Sequence, residues 1–159
     1  MTVDYAGLER AVPVSAVIAL DASVTLAYLA GTEVVSEAAT WIFDGCLNAG
    51  RNTGVLSTLT AAELLVRPFR AGDASVASVE SFLRFFGSIR LVDVSYMIAR
   101  TAARVRAGTG LAMPDAIVVG TAIEDGAEVL VTNDRAWPAM LGSTVAPLRI
   151  VNIGDFVRP

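Results

Sequence analysis

Residues 110–137 read GLAMPDAIVVGTAIEDGAEVLVTNDRAW, and this stretch decides the fold. Pro114 and Asp115 open a helical run, because proline is tolerated in the first turn of a helix, where its missing N–H would have no partner. The apolar run EVLVT then predicts a short buried strand, and Asp134 lies between that strand and a second helical run. The stretch therefore indicates a helix–strand–helix unit with one acid at a helix start and another near a strand end.

Four more apolar runs of strand length lie on either side of this unit, separated by segments with helical spacing. They are Val14–Leu20, Val55–Leu59, Ile89–Val94 and Arg149–Ile153. Strands that alternate with helices, and that are apolar throughout, indicate a parallel sheet covered by helices on both faces. We therefore predict an α/β fold with about five strands. We expect a single domain over residues 1–159, with residues 1–13 as a peripheral N-terminal extension.

The composition excludes several kinds of active site. The chain has no histidine, and all 12 of its basic residues are arginine. A Ser-His-Asp triad, a lysine-containing phosphate loop and a Schiff base are therefore impossible. The single cysteine, Cys46, cannot form an internal disulfide, and its place in a helical pattern predicts a core thiol. Any demanding catalytic reaction must then depend on carboxylates that bind a hard cation such as Mg²⁺ or Mn²⁺.

Charge and hydropathy narrow the expectations further. The net charge of −4 argues against a broadly basic surface for nucleic acid, although a local rim of arginines is compatible with it. No apolar run reaches the length of a membrane span, and the first residues lack the basic start of a secretory signal. We therefore expect a cytoplasmic protein.

Four acids occupy comparable positions, each following a strand or beginning a helix: Asp21, Glu63, Asp115 and Asp134. Ligands of parallel α/β sheets bind at the carboxyl ends of the strands. Topology alone predicts that three of the acids reach this edge; for Asp115, a curled sheet or a long loop is needed. Four carboxylates that converge repel one another unless a cation lies between them. The pattern therefore predicts a site for a divalent metal ion.

Each acid also has a simpler interpretation. Asp21 and Asp134 could cap the helices that follow them, and Glu63 could form a capping box with Thr60, three residues earlier. Asp115 is favoured in a first helical turn by the helix dipole alone. No single acid is decisive, and the prediction depends on all four together.

Three segments of the chain resemble the successive motifs of PIN-domain ribonucleases, and most nearly those of VapC-type toxins from prokaryotic toxin–antitoxin pairs. They are ALDASVTLAYL at 19–29, STLTAAELLVRP at 57–68 and the stretch quoted above. The resemblance spans roughly residues 17–153. It implies a three-layer α/β/α fold with a curled parallel sheet, a homodimer and a VapB-type antitoxin as partner. It also implies Mg²⁺- or Mn²⁺-dependent hydrolysis of RNA phosphodiester bonds by a metal-activated water.

The resemblance also assigns roles to residues. The acidic quartet of the family falls on Asp21, Glu63, Asp115 and Asp134, as catalytic residues and metal ligands. The hydroxyl residues that support this quartet fall on Ser23 and Thr132. The products would carry a 5′-phosphate and a 3′-hydroxyl.

The arginines and two other functions remain open at this stage. Arg135 is the best candidate to bind a substrate phosphate, whereas Arg67, four residues after Glu63, suggests an intrahelical ion pair. One alternative is a catalytically silent PIN-like binding module. The other is a metal-dependent phosphatase with Asp21 as nucleophile, although Ser23 stands where such enzymes usually have a second aspartate, and the chain lacks their lysine.

Overall fold

A five-stranded sheet forms the centre of the computed structural model, which describes residues 2–158. All four pairings within it are parallel, and the order is β4-β3-β2-β5-β6. A separate antiparallel pair joins β1 to β7. The strands are β1 (Thr2–Val3), β2 (Val17–Leu20), β3 (Thr53–Ser57), β4 (Ile89–Val92), β5 (Val129–Thr132), β6 (Arg149–Asn152) and β7 (Val157–Arg158). The predicted α/β class and the number of strands in the central sheet are confirmed.

Helices connect the strands and cover both faces of the sheet. They are α1 (Tyr5–Ala11), α2 (Ala22–Ala30), α3 (Ser36–Thr40), α4 (Thr58–Ala71), α5 (Asp73–Phe85), α6 (Tyr96–Thr109), α7 (Met113–Glu124) and α8 (Trp137–Leu141). A π-helical segment, Trp41–Asn48, continues α3. Helix α4 runs through Pro68 and is followed by Gly72, whose φ of 122° suits glycine far better than a residue with a side chain.

Two hydrophobic cores lie on opposite faces of the sheet, because successive side chains of a strand point to opposite sides. Ile18 and Leu20 of β2 belong to the core formed with α1–α4, whereas Ala19 between them belongs to the core formed with α6–α8. Both cores extend to β5. The arrangement is the predicted three-layer α/β/α fold.

The N-terminal segment, expected to be peripheral, contributes to one of these cores. Leu8 and Val12 are fully buried there, and Cys46 is likewise a buried thiol. Within residues 2–158, no helix combines the length and the apolar character needed to cross a membrane.

Helix α7 brings Asp115 to the carboxyl edge of the sheet without a long loop. The helix ends at Glu124, shortly before the amino end of β5, and its 12 residues span about 18 Å. Its first turn therefore lies toward the opposite edge, where the strands end. Gly120 lets α7 approach α6 closely, since a Cβ there would lie 2.9 Å from the carbonyl oxygen of Ile98.

Candidate active site

Asp21 occupies the first position after the central strand β2, and its carboxylate is almost buried, with 7% of the residue exposed. Oδ1 accepts a hydrogen bond of 2.7 Å from the backbone N–H of Ala22, so that Asp21 caps α2. Oδ2 accepts bonds from the hydroxyls of Ser23 at 2.5 Å and Thr132 at 2.9 Å. The predicted cap and the predicted support by the two hydroxyls are therefore both present, and together they fix the direction of the carboxylate.

The two hydroxyls also tie Asp21 to the end of β5. The Ser23 Oγ accepts a bond of 2.9 Å from the backbone N–H of Asn133, and the Thr132 Oγ1 accepts one of 3.0 Å from that of Asp134. Each hydroxyl thus accepts a hydrogen bond from a backbone N–H after β5 and donates one to Asp21. Two of these four bonds, Thr132 to Asp21 and Asn133 to Ser23, join the end of β2 to the end of β5 in addition to the backbone pairing of the strands.

Glu63 and Asp115 face Asp21 from the helices α4 and α7. Partial desolvation raises the pKa of Glu63, a residue that is still exposed, above its ordinary value of 4.5, and the carboxylates of Asp21 and Asp115 raise it further. Burial also raises the pKa of Asp115 above 3.8, with added repulsion from Asp21 and Asp134. The four carboxylates are therefore close enough to influence one another's charge state, and we call them the electrostatic cluster. Asp21 and Asp115 are at its centre, because each acts on or is affected by more than one of the others.

The capping interpretations of the other acids are only partly realised. Helix α4 begins at Thr58 with Ser57 as its cap, so Glu63 lies in the second turn and the predicted Thr60 capping box does not form. Asp134 is exposed and accepts a bond of 2.8 Å from the backbone N–H of Ala136, in the turn before α8. Neither Glu63 nor Asp134 caps a helix, so both carboxylates remain able to bind other groups.

The sequence of this chain matches a known domain family. A family model described as the PIN domain matches residues 18–140. The chain belongs to the PIN domain family. The match spans well over half of the chain and includes all four acids. No curated protein matches the chain.

Solved structures with the same PIN fold come from bacterial toxin–antitoxin systems. VapBC2 of Rickettsia felis, solved bound to a promoter DNA fragment, is 16% identical with a TM-score of 0.63, over 86% of this chain and 98% of that one. A toxin–antitoxin complex from Klebsiella pneumoniae is 19% identical with a TM-score of 0.64, over 86% and 97%. VapC20 of Mycobacterium tuberculosis, a sarcin-ricin loop cleaving toxin, is 16% identical with a TM-score of 0.61, over 77% and 93%. At these identities the likeness shows the fold.

The donors of this site suit a hard divalent cation. Carboxylate oxygens are the ligands that Mg²⁺ prefers, and repulsion among them is what a cation relieves. Within residues 2–158, no three acidic or cysteine side chains stand close enough together to enclose an ion by themselves. Since Mg²⁺ keeps several waters and takes only one or two carboxylates, water would have to complete the coordination of an ion at this site.

The arginines near the site are not neutralised by its acids. In the described part of the chain the only salt bridges are Arg90–Asp125 and Arg158–Asp4, so the predicted pair of Arg67 with Glu63 is wrong. Arg135 is exposed beside Asp134. Its Nε lies close to Gly154, 3.9 Å from the point that a Cβ on this glycine would occupy. Its guanidinium is therefore available at the rim of the acidic centre.

Sequence reasoning missed one polar residue at this edge. Asn152 ends β6 directly opposite Thr132 in the register, and its side chain is buried, with 2% of the residue exposed. Its Oδ1 accepts a bond of 2.8 Å from the backbone N–H of Gly154, while its Nδ2 has no protein partner. A polar residue at the end of an apolar strand, the signal that pointed to Asp21, could have found it.

Proposed function

We propose that this PIN domain is a metal-dependent endoribonuclease that hydrolyses RNA phosphodiester bonds. The observation that carries the proposal is that Asp21, held by Ser23 and Thr132, repels both Glu63 and Asp115, while Asp134 repels Asp115. A preorganised cluster of negative charge is unfavourable unless a cation binds it. The raised pKa values of Glu63 and Asp115 are consistent with such a role.

The four acids would have different roles because their surroundings differ. Asp21 and Asp115, at the centre of the electrostatic cluster, would be the principal ligands of Mg²⁺ or Mn²⁺. Asp134 would support the ion through water, and Glu63 would be either a further ligand or the residue that orients the attacking water. The two hydroxyls keep the Asp21 carboxylate in one orientation, which spares the site a reorganisation when the substrate binds.

The reaction is an in-line displacement at phosphorus. When bound, the cation supplies positive charge to the scissile phosphate and lowers the pKa of the attacking water. The new bond joins the water oxygen to phosphorus, and the bond from phosphorus to the 3′-oxygen breaks. This leaves a 5′-phosphate and a 3′-hydroxyl. Arg135, at the rim, binds a phosphate of the RNA through its planar guanidinium.

The biological setting is part of the same proposal. Structures of similar fold include toxin–antitoxin complexes, among them VapBC2 of Rickettsia felis. We infer that this chain is the toxin of a type II pair, that it dimerises and that a VapB-type antitoxin holds it inactive in the cytoplasm. We also infer that residues 1–159 form one domain, because both cores share the same sheet.

Cleavage of a structured RNA by the purified protein, freed of any antitoxin, tests the proposal. We expect cleavage with Mg²⁺ or Mn²⁺, none with EDTA, and a loss of at least about 100-fold in Asp115→Asn. Asp73→Asn is the matched control, since Asp73 also lies in the first turn of a helix but on α5, outside the acidic cluster. Equal activity of the two variants would contradict the assignment of Asp115.

Absence of cleavage in a folded, metal-loaded protein would favour the silent binding module instead.

The phosphatase alternative has less support. Ser23 stands where such enzymes usually have a second aspartate, and the chain has no lysine. Turnover of a small phosphomonoester that is lost in Asp21→Asn would revive it.

A further inference from the structure

A cleft of about 760 Å³ opens at the edge of the sheet opposite to the acids. Glu128, just before β5, and Arg149, the first residue of β6, line it. The acids lie beyond the carboxyl ends of the same parallel strands. The cleft is therefore separate from the proposed nuclease site. Its volume lies within the range of about 300–1,000 Å³ that is typical of small-molecule sites.

The walls of the cleft are largely apolar. Val105 of α6, Val145 and Leu148 line it and also belong to the core that covers this face of the sheet. They are almost fully buried, with exposed fractions between 2% and 6%, so the floor of the cleft is part of the packed interior. Ile123, Ala127 and Pro147 also line the cleft and keep part of their surface exposed. An apolar group bound against them would remove this surface from water.

The rim of the cleft carries three charges. Arg104 of α6 and Arg149 line it, and neither pairs with a carboxylate within residues 2–158. Glu128 also lines it, and its Oε1 accepts only a long bond of 3.4 Å from the backbone N–H of Val17. Two free guanidiniums can bind a carboxylate or phosphate, and the carboxylate of Glu128 can accept from an N–H donor.

We propose that this cleft binds a small organic anion with an apolar body and an N–H donor, a class to which nucleoside monophosphates such as AMP belong. The anionic group lies between Arg104 and Arg149, the apolar body lies against Ile123 and Pro147, and Glu128 accepts from the donor. Each element of the ligand has a matching partner in the cleft, and none of these residues takes part in the proposed nuclease chemistry.

Calorimetric titration of the full chain with three probes tests this site. AMP has all three features, octanoate has the anion and the apolar body, and inorganic phosphate has only the anion. We expect AMP to bind with a Kd of about 1 mM or tighter, octanoate more weakly and phosphate most weakly. EDTA is present throughout, so that nucleotide cannot bind through a metal ion at the acidic centre.

Variants connect the binding to the cleft. Arg104→Gln and Arg149→Gln should each weaken AMP binding about tenfold or more, because each removes a charge-assisted hydrogen bond. Arg100→Gln, a change on the exposed surface of the same helix outside the cleft, is the matched control and should bind AMP normally. Thr144→Phe fills the cleft from an exposed position and should abolish binding. Unchanged melting temperatures would show that the variants are folded.

Several results would overturn the proposal. These are no binding of AMP, equal binding of phosphate and AMP, or AMP binding that Arg104→Gln and Thr144→Phe leave unchanged. Equal binding of octanoate and AMP would remove the role of Glu128 and with it the N–H donor. Loss of AMP binding in Asp115→Asn alone would place the nucleotide at the acidic centre instead.

Discussion

Replacement of Thr132 by valine removes one of the two hydroxyls that hold Asp21. The side chain is fully buried, and valine has nearly the same shape, so packing changes little. The lost hydroxyl donates to the Asp21 Oδ2 at 2.9 Å and accepts from the backbone N–H of Asp134 at 3.0 Å. The variant therefore leaves a backbone donor without its partner and the carboxylate with one donor fewer.

The expected loss of stability follows from these two bonds. A hydrogen bond to a charged group contributes about 1.5–3 kcal/mol, and leaving a buried donor unpaired costs about 1–3 kcal/mol. Because Ser23 and Ala22 still donate to Asp21, and the N–H of the exposed Asp134 can turn to water, we expect a net loss of about 1–3 kcal/mol. For a chain of this size, this lowers Tm by about 2–12 °C.

Thermal and urea unfolding in EDTA measure this loss. Thr132→Ser keeps the hydroxyl and removes only a buried methyl, so it should cost about 1 kcal/mol. If Thr132→Val is no less stable than Thr132→Ser, the hydroxyl does not connect β5 to Asp21, and the reasoning is refuted. With the hydroxyl contributing as described, the valine variant should also show a smaller rise of Tm on addition of Mg²⁺.

Three further predictions concern charge, packing and substrate. In EDTA, the difference in Tm between Asp115→Asn and the parent should increase in favour of the variant from pH 4 to pH 7. The pKa of Asp115 is raised in the folded state, so the metal-free parent loses stability as pH rises above 3.8, and asparagine removes this loss. A difference that does not depend on pH would contradict the prediction. Gly120→Ala should destabilise the protein by about 1–3 kcal/mol, because the added Cβ would clash with the backbone of α6. Gly45→Ala is the control, since a Cβ there would make ordinary contacts at 3.4 Å and should not destabilise the protein. Equal Tm values for the two variants would contradict the close approach of α7 to α6. Arg135→Gln should raise KM for RNA about tenfold with little change in kcat, as measured by steady-state cleavage; an unchanged KM would exclude a phosphate contact.

Much of the fold could be predicted because the strands are short, apolar and separated by helices. The five sheet strands are predicted within a few residues. Burial on both faces demands continuous apolar runs in the central strands β2 and β5, whereas the edge strand β4 is partly exposed. The convergence of Asp21 and Asp134 then follows from parallel strands ending at one edge. For Asp115, the missing step was that a helix leading into a strand's amino end must itself begin near the carboxyl edge.

Other features depended on competition that the sequence leaves undecided. Ser57 and Thr60 are both possible caps for α4, and the structure uses Ser57, which moves Glu63 into the second turn. Capping and metal binding were treated as alternatives for Asp21, whereas its carboxylate has two oxygens and can cap α2 while facing the other acids. The cleft could not be predicted, because Arg104 and Arg149 line it from α6 and β6, which are far apart in the sequence.

A crystal of the protein grown with Mn²⁺ tests most directly whether the four acids share a cation. The anomalous signal of manganese locates the ion without reference to activity. We predict one or two peaks at the carboxyl edge of the sheet, coordinated by Asp21 and Asp115 and completed by water. Manganese bound only elsewhere, with these two carboxylates free of metal, would contradict the proposed centre.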